Sequence, residues 1–232
     1  VRAITCDEQG TLWIGSFFGA IHLYNPRHDV YTYYGANSDS QRALSYPIVN
    51  SIVADSQGIV YVATNGGGLN RILPNGTIEH IHIDRTTPEH AIKSLYLDQP
   101  RHLIYMGTHQ GGLVTMDTRT KQIRRFTAEQ GFLPDNRVRQ LVAYGDTLFF
   151  STERGIGLLN RATGQFQTLD SLPVSGELSH LYLHGSTLWF ARQHTTYAYH
   201  ITNHLLTTYP IPKPVHVFSS DLNGNLIAGT ID

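Results

Sequence analysis

The sequence predicts an all-β fold, a β-propeller of four-stranded antiparallel blades. Three observations predict it: a repeat of blade length, turn chemistry that returns in a fixed order within each repeat, and the lack of a sustained helical period. Six segments stack on their apolar runs: VRAITCDEQGTLWIGS from Val1, VNSIVADSQGIVYVAT from Val49, IKSLYLDQPRHLIYMGT from Ile92, VRQLVAYGDTLFFST from Val138, LSHLYLHGSTLWFAR from Leu178 and VHVFSSDLNGNLIAGT from Val215. Their anchors are Trp13, Tyr61, Tyr105, Phe149, Trp189 and Ile227. The period drifts through roughly 40 to 45 residues, the length of a four-stranded blade. Five complete repeats and a partial sixth follow, with approximate bounds 1–48, 49–91, 92–137, 138–177, 178–214 and 215–232.

The second repeat shows each element. Asn50 to Ala54 and Ile59 to Thr64 are apolar, β-branched runs around the turn Asp55-Ser-Gln-Gly58. Asn65-Gly-Gly-Gly68 reverses the chain into Leu69 to Leu73, and Pro74-Asn-Gly76 turns it into Thr77 to Ile83. Short apolar runs bounded by Gly, Asn and Asp read as strands and tight turns. Asp-x-x-Gly recurs as Asp7 to Gly10, Asp55 to Gly58 and Asp221 to Gly224. There Asp caps the turn and Gly supplies positive φ. The second reversal recurs as Gly19, Gly66 to Gly68, Gly111-Gly112, and Gly155 with Gly157. The segment from His28 to Pro47 reads as a long loop with room for a short helical turn. Sheets of this kind bury both faces by stacking radially. A stacked hairpin solenoid is the structural alternative.

Composition sets the limits. Apolar residues make up 41% and charged ones 15% of 232 residues, with 21 glycines and 10 prolines, which fits an ordered, turn-rich chain. Seventeen Lys+Arg against 18 Asp+Glu give a net charge of −1, so no long-range field marks a nucleic-acid binder. Cys6 is the only cysteine, which excludes an internal disulfide and a Cys-based metal site. The apolar runs, such as Gly58 to Ala63, are far shorter than the roughly 20 residues of a membrane-spanning helix. Val1 to Cys6 has no extended apolar core of the signal-peptide kind and reads as the interior of a longer chain.

The stretch Val49-Asn-Ser-Ile-Val-Ala-Asp-Ser-Gln-Gly-Ile-Val-Tyr-Val-Ala-Thr-Asn-Gly-Gly-Gly-Leu-Asn-Arg71 resembles the two-component regulator propeller repeat of bacterial hybrid two-component systems. Trp13-Ile-Gly-Ser16 and Met106-Gly-Thr108 match the same strand, and Gly155-Ile-Gly-Leu-Leu-Asn-Arg161 matches the next reversal. The fifth repeat departs from the pattern, because Ala191-Arg-Gln-His-Thr-Thr-Tyr197 lacks the glycines. The resemblance implies a periplasmic sensor segment that responds to a carbohydrate or related nutrient and signals through the membrane to a histidine kinase and a transcription factor. It also implies further propeller blades or domains of the same protein.

Alternating strand direction places the start of each first strand and the second reversal on one face. Second positions of the first strands are Arg2, Asn50, Lys93, Arg139, Ser179 and His216, and the reversals add Phe17, Phe18, Asn65, His109, Gln110, Arg154, Arg192 and His194. Polar groups at one register form donors suited to hydroxyls, carboxylates or sulfates, and aromatic platforms beside them suit a sugar. The same residues also fit solvated strand ends, and Phe17 with Phe18 fits an interface with a neighbouring blade.

Other chemistry finds less support. His80-x-His82 puts two imidazoles on one strand face, but metal binding needs three or four converging ligands. Asp7, Asp55, Asp98 and Asp221 read as turn caps on the opposite face. Glu89, Glu129, Asp135, Glu153 and Glu177 lie in unlike loops, with no two at the spacing of a glycoside hydrolase. Gly66-Gly-Gly68 lacks the Lys-Ser/Thr of a phosphate loop, and no nucleophile elbow occurs. The segment is therefore expected to be no enzyme and to carry no cofactor. Its expected partners are an oligosaccharide or other small polar ligand, further parts of the same protein, and a second copy in a homodimer. A protein-interaction scaffold is the alternative, with a propeller glycoside hydrolase behind it.

Overall fold

The computed structural model describes residues 1–17, 20–36, 41–83, 91–169, 178 and 180–230. Every regular element among them is a β-strand, and the strands divide between two compact units, Val1–Arg125 and Phe126–Asp232. Five sheets are four-stranded propeller blades and the sixth sheet has two strands.

The first unit contains β1 (Ala3–Cys6), β2 (Leu12–Gly15), β3 (Ala20–Asn25) and β4 (Val30–Gly35) in blade one. Blade two is β5 (Val49–Ala54), β6 (Val60–Thr64), β7 (Leu69–Ile72) and β8 (Ile78–Ile81). Blade three is β9 (Ile92–Asp98), β10 (Leu103–Thr108), β11 (Leu113–Asp117) and β12 (Ile123–Phe126), whose last residue opens the second unit. The expected loop from His28 to Pro47 thus needs correction, since β4 lies within it and no helical turn occurs among its described residues. Val30-Tyr-Thr-Tyr-Tyr34 is a β-branched and aromatic run that favours a pleated strand over a helix.

Strand β6 shows why blades stack. All five of its residues are buried. Val60 and Val62 join a core with Trp13, Ile21 and Tyr34 of blade one, while Tyr61 and Ala63 join Leu95, Ile104 and Met106 of blade three. A period of two therefore feeds two cores from one strand, and a slip of one residue would exchange them. Each large apolar side chain so buried contributes roughly 1.5–3 kcal/mol. At the outer edge Glu79 of blade two accepts from Arg71 at 3.0 Å and from Lys121 of blade three at 2.9 Å.

The second unit contains blade four, β13 (Gln140–Tyr144), β14 (Thr147–Thr152), β15 (Gly155–Asn160) and β16 (Phe166–Thr168). Blade five is β17 (Tyr182–His184), β18 (Thr187–Arg192), β19 (Thr195–His200) and β20 (Leu205–Pro210), followed by β21 (Val215–Ser220) and β22 (Leu226–Thr230). Phe149, Ile156, Leu188 and Phe190 join blades four and five, and Ala191, Val215 and Phe218 join blade five to the last sheet. Gly157 pairs with Phe150 across β14 and β15, and a Cβ there would run into the Phe150 ring.

Turn chemistry fixes the hairpins. Asp7 Oδ1 accepts the amides of Gln9 and Thr11 at 3.0 and 2.8 Å, and its Oδ2 accepts the Trp13 indole N–H at 2.8 Å. Asp55 and Asp221 repeat the amide pattern, with Gly10, Gly58 and Gly224 at φ of 83°, 77° and 79°. Asp98 caps the corresponding turn of blade three and accepts from the Arg101 side chain at 3.1 Å. At the opposite edge of these blades the residue that ends the second strand, or directly follows it in blade one, closes the next reversal. Ser16, Thr64, Thr108 and Thr152 donate their hydroxyls to Ala20, Gly68, Gly112 and Gly155 carbonyls at 2.8–3.1 Å. Arg192 holds this place in blade five, where Gln193 takes φ of 50° and the strands pair through Arg192 and Thr195.

Candidate functional site

In each unit the blade edges that carry the first-strand starts and second reversals present distinct clusters. In blade one the Arg2 guanidinium lies 4.5 Å from the Phe17 ring centroid, and Phe17 remains 37% exposed. A cation over an aromatic face is held by the ring quadrupole, so the two side chains position each other. Phe18 lies outside the described residues, as do Ser179, Glu89 and Glu177.

Between blades two and three, Asn65 is the centre of an amide cluster. Its Oδ1 accepts from Lys93 Nζ at 2.7 Å and from Asn50 Nδ2 at 3.2 Å, while Asn50 Nδ2 also donates to the Ile92 carbonyl at 2.8 Å. The Asn65 backbone N–H donates to the Ile48 carbonyl, and His109 N–H to the Ala91 carbonyl. Asn50, Asn65 and Lys93 therefore fasten one blade to the next and spend their polar groups largely on each other.

Blade four carries a different cluster. Arg137 and Arg139 both pair with Glu153, Arg137 with Oε2 and Arg139 with Oε1, the latter at 3.3 Å. Arg154 Nε stands 3.9 Å from Asp135 Oδ2, with its side chain 76% exposed. Backbone contacts hold this frame: Arg137 N–H donates to Asp135 Oδ1 at 2.8 Å, Arg139 N–H to the Ser151 carbonyl at 3.0 Å, and Arg154 N–H to Thr152 Oγ1 at 3.2 Å. Desolvation works to raise the Glu153 carboxyl, but hydrogen bonds from Arg137 and Arg139 outweigh it and hold the group below its ordinary value. Glu129 is likewise held low, chiefly by the Asn136 amide, which bonds both its oxygens.

Arg192 ends β18 and the exposed His216 lies in β21. Among the described residues of the second unit, no hydrogen bond, ion pair or ring contact joins either to another candidate. His80 Nε2 lies 2.8 Å from the Ala43 carbonyl.

Two sets of residues were not singled out by sequence reasoning. Arg137 precedes the first-strand register by two positions, so a survey of second positions passes over it. The third positions also act alike: Ser51 Oγ accepts the Leu95 N–H at 3.2 Å, and the Gln140 side-chain carbonyl accepts the Leu181 N–H. These bonds satisfy inner-strand amides that have no further strand beside them. A polar residue at the third position was the available signal.

No family model matches the sequence, and no curated protein does. Solved structures do match the fold. The extracellular domain of the hybrid two-component system BT3049 from B. thetaiotaomicron superposes with a TM-score of 0.80 at 15% identity, covering 99% of this chain and 32% of that one. The extracellular domain of BT4673 from the same organism gives 0.81 at 16% identity, covering 99% and 34%. The chain thus spans about a third of the length of these solved chains. The computationally designed Ika8 protein also matches, with a TM-score of 0.71 at 15% identity and coverage of 99% and 67%. At these identities the likeness establishes the fold. A designed protein in the same company makes plain that function must be argued from side chains.

Proposed function

We propose that this chain is a ligand-sensing, extracytoplasmic propeller segment of a two-component signalling protein, responding to a carbohydrate or related nutrient. The observation that carries the reading is the blade-four cluster. Arg137, Arg139 and Arg154 stand on the reversal face, anchored through their backbones while their side chains remain partly exposed. Guanidinium donors of this kind recognise hydroxyls and carboxylates through fixed fork geometry. The fold shared with two extracellular domains of two-component systems supports the signalling context.

Binding of this kind needs no chemistry on the ligand. The described carboxylates of the face are engaged in structural contacts, Glu153 with two arginines, Asp135 with the Arg137 amide, and Glu129 with Asn136. Exposed apolar side chains on blade one, Ile4 at 63%, Tyr31 at 71% and Tyr33 at 58%, favour packing against further chain of the same protein or a second copy.

A thermal-shift screen against a panel of oligosaccharides tests the reading. A ligand that binds the native state raises the melting temperature, adding about 2.7 kcal/mol of stability at a hundredfold excess over Kd. Arg139→Ala is expected to weaken that response while leaving the fold intact. No shift across a broad panel, together with concentration-dependent self-association, would favour the scaffold reading.

A further inference from the structure

The geometry points to an anion-binding subsite in blade four, in which Arg137, Arg139 and Arg154 take a carboxylate or sulfate group of the ligand and Glu153 is the built-in counter-ion that the ligand displaces. The inference rests on the reading of this face as the ligand-binding face. It adds the class of ligand, a saccharide bearing an acidic group, and a residue that sets its affinity.

The arrangement around Glu153 shows what the arginines can hold. Its two oxygens are taken by two different guanidiniums, Oε2 by Arg137 and Oε1 by Arg139. Two donors are thereby already spaced for the oxygen pair of a single carboxylate, and a sulfate presents an oxygen pair of similar separation. The donors are also fixed at their roots, because Arg137, Arg139 and Arg154 each commit a backbone N–H to Asp135, Ser151 and Thr152 respectively. Preorganised donors lose less freedom when a ligand arrives.

Distance argues the same way. Among the described residues Arg154 faces Asp135, and their closest approach is 3.9 Å. That distance exceeds a direct hydrogen bond, so Arg154 retains donors for a ligand. The Glu153 side chain is 29% exposed and those of Arg137 and Arg139 are 42% and 34% exposed. Ion pairs this accessible contribute little to stability, so an incoming anion displaces Glu153 without unfolding the hairpin.

Isothermal titration calorimetry on the intact chain tests the inference with three probes: a glucuronate-terminated disaccharide, its carboxyl-reduced neutral counterpart, and inorganic sulfate. The charged disaccharide is expected to bind at least about tenfold tighter than the neutral one, the size of one charge-assisted hydrogen bond. Glu153→Gln is expected to tighten the charged disaccharide and sulfate while leaving the neutral sugar unchanged. Arg154→Ala is expected to weaken both anions, with circular dichroism reporting that the fold is kept.

Equal binding of the charged and neutral sugars overturns the anion subsite and leaves the sensor reading intact. Weaker binding of the charged sugar to Glu153→Gln overturns the counter-ion role, because Glu153 would then be orienting the ligand. Binding of sulfate but not of the charged disaccharide rejects a saccharide as the source of the anion. If none of the three probes binds the intact chain or Glu153→Gln, the subsite is rejected, and the oligosaccharide screen decides the sensor reading separately.

Discussion

The amide cluster of blades two and three and the arginine cluster of blade four grow from the same places in the repeat, yet they do opposite things with their polar groups. Asn50, Asn65 and Lys93 turn to one another, sharing one carbonyl oxygen and reaching across to Ile92 of the next blade. Arg137, Arg139 and Arg154 are tied at the backbone and paired with acids at the surface. Position in a repeat therefore decides where a side chain points, while its length and charge decide whether it closes an interface or stays available to a ligand.

The sharpest way to break the comparison is to remove the shared acceptor. Asn65→Ala leaves the Lys93 ammonium and the Asn50 amide without their common oxygen in a half-buried setting, at an expected loss of about 1–3 kcal/mol. The melting temperature should fall by several degrees, and a urea titration gives the free energy directly. Arg139→Ala, made at the register of Asn50 and Lys93 in the arginine cluster, should cost under about 1 kcal/mol, the range of solvent-accessible ion pairs. Equal losses would erase the distinction between a closed and an open cluster.

A smaller effect separates the clusters by pH. Glu153 is held below its ordinary value against a desolvation that works to raise it, and Glu79 is held low first by Lys121 and then, against desolvation, by Arg71. Groups lowered in this way bind fewer protons folded than unfolded. Their contribution is complete above the unfolded carboxylate value of about 4.3 and is lost as pH falls through the depressed folded value. Denaturation midpoints measured across the acid limb should therefore decline with falling pH. Glu153→Gln should flatten that decline, whereas Asn65→Ala, which alters no titrating carboxylate, should lower the whole curve in parallel.

The fold was legible in the sequence because each hairpin announces itself with chemistry that a turn requires. Asp55 with Gly58 and the glycines at 66–68 mark reversals that the structure realises with capped amides and positive φ. Strand β4 was missed because the region between His28 and Pro47 has no Asp-x-x-Gly or paired glycine to divide it. The turn before β4 is closed instead by Asn25, whose Oδ1 accepts the Arg27 N–H at 3.0 Å. Asn75, Asp117, Asn160 and Asn203 cap the corresponding turns, a third series hidden by its mixed residue types.

The candidate face was legible only as a set of positions. Sequence spacing placed Asn50, Lys93 and Arg139 at one register, but hydrogen bonds between neighbouring blades separate the first two from the third. Spacing along the chain carries no information on which side chain reaches across a blade boundary. The partnership of Arg137 with Glu153 joins residues before β13 to the β14–β15 reversal, and it emerges only when the hairpin is folded.

Backbone amide chemical shifts recorded with and without a bound acidic saccharide test the account most directly. Shifts centred on residues 135–139 and 152–155, with Asn50, Asn65 and Lys93 unmoved, are the predicted result. Shifts centred on the amide cluster of blades two and three, with blade four unmoved, would contradict it.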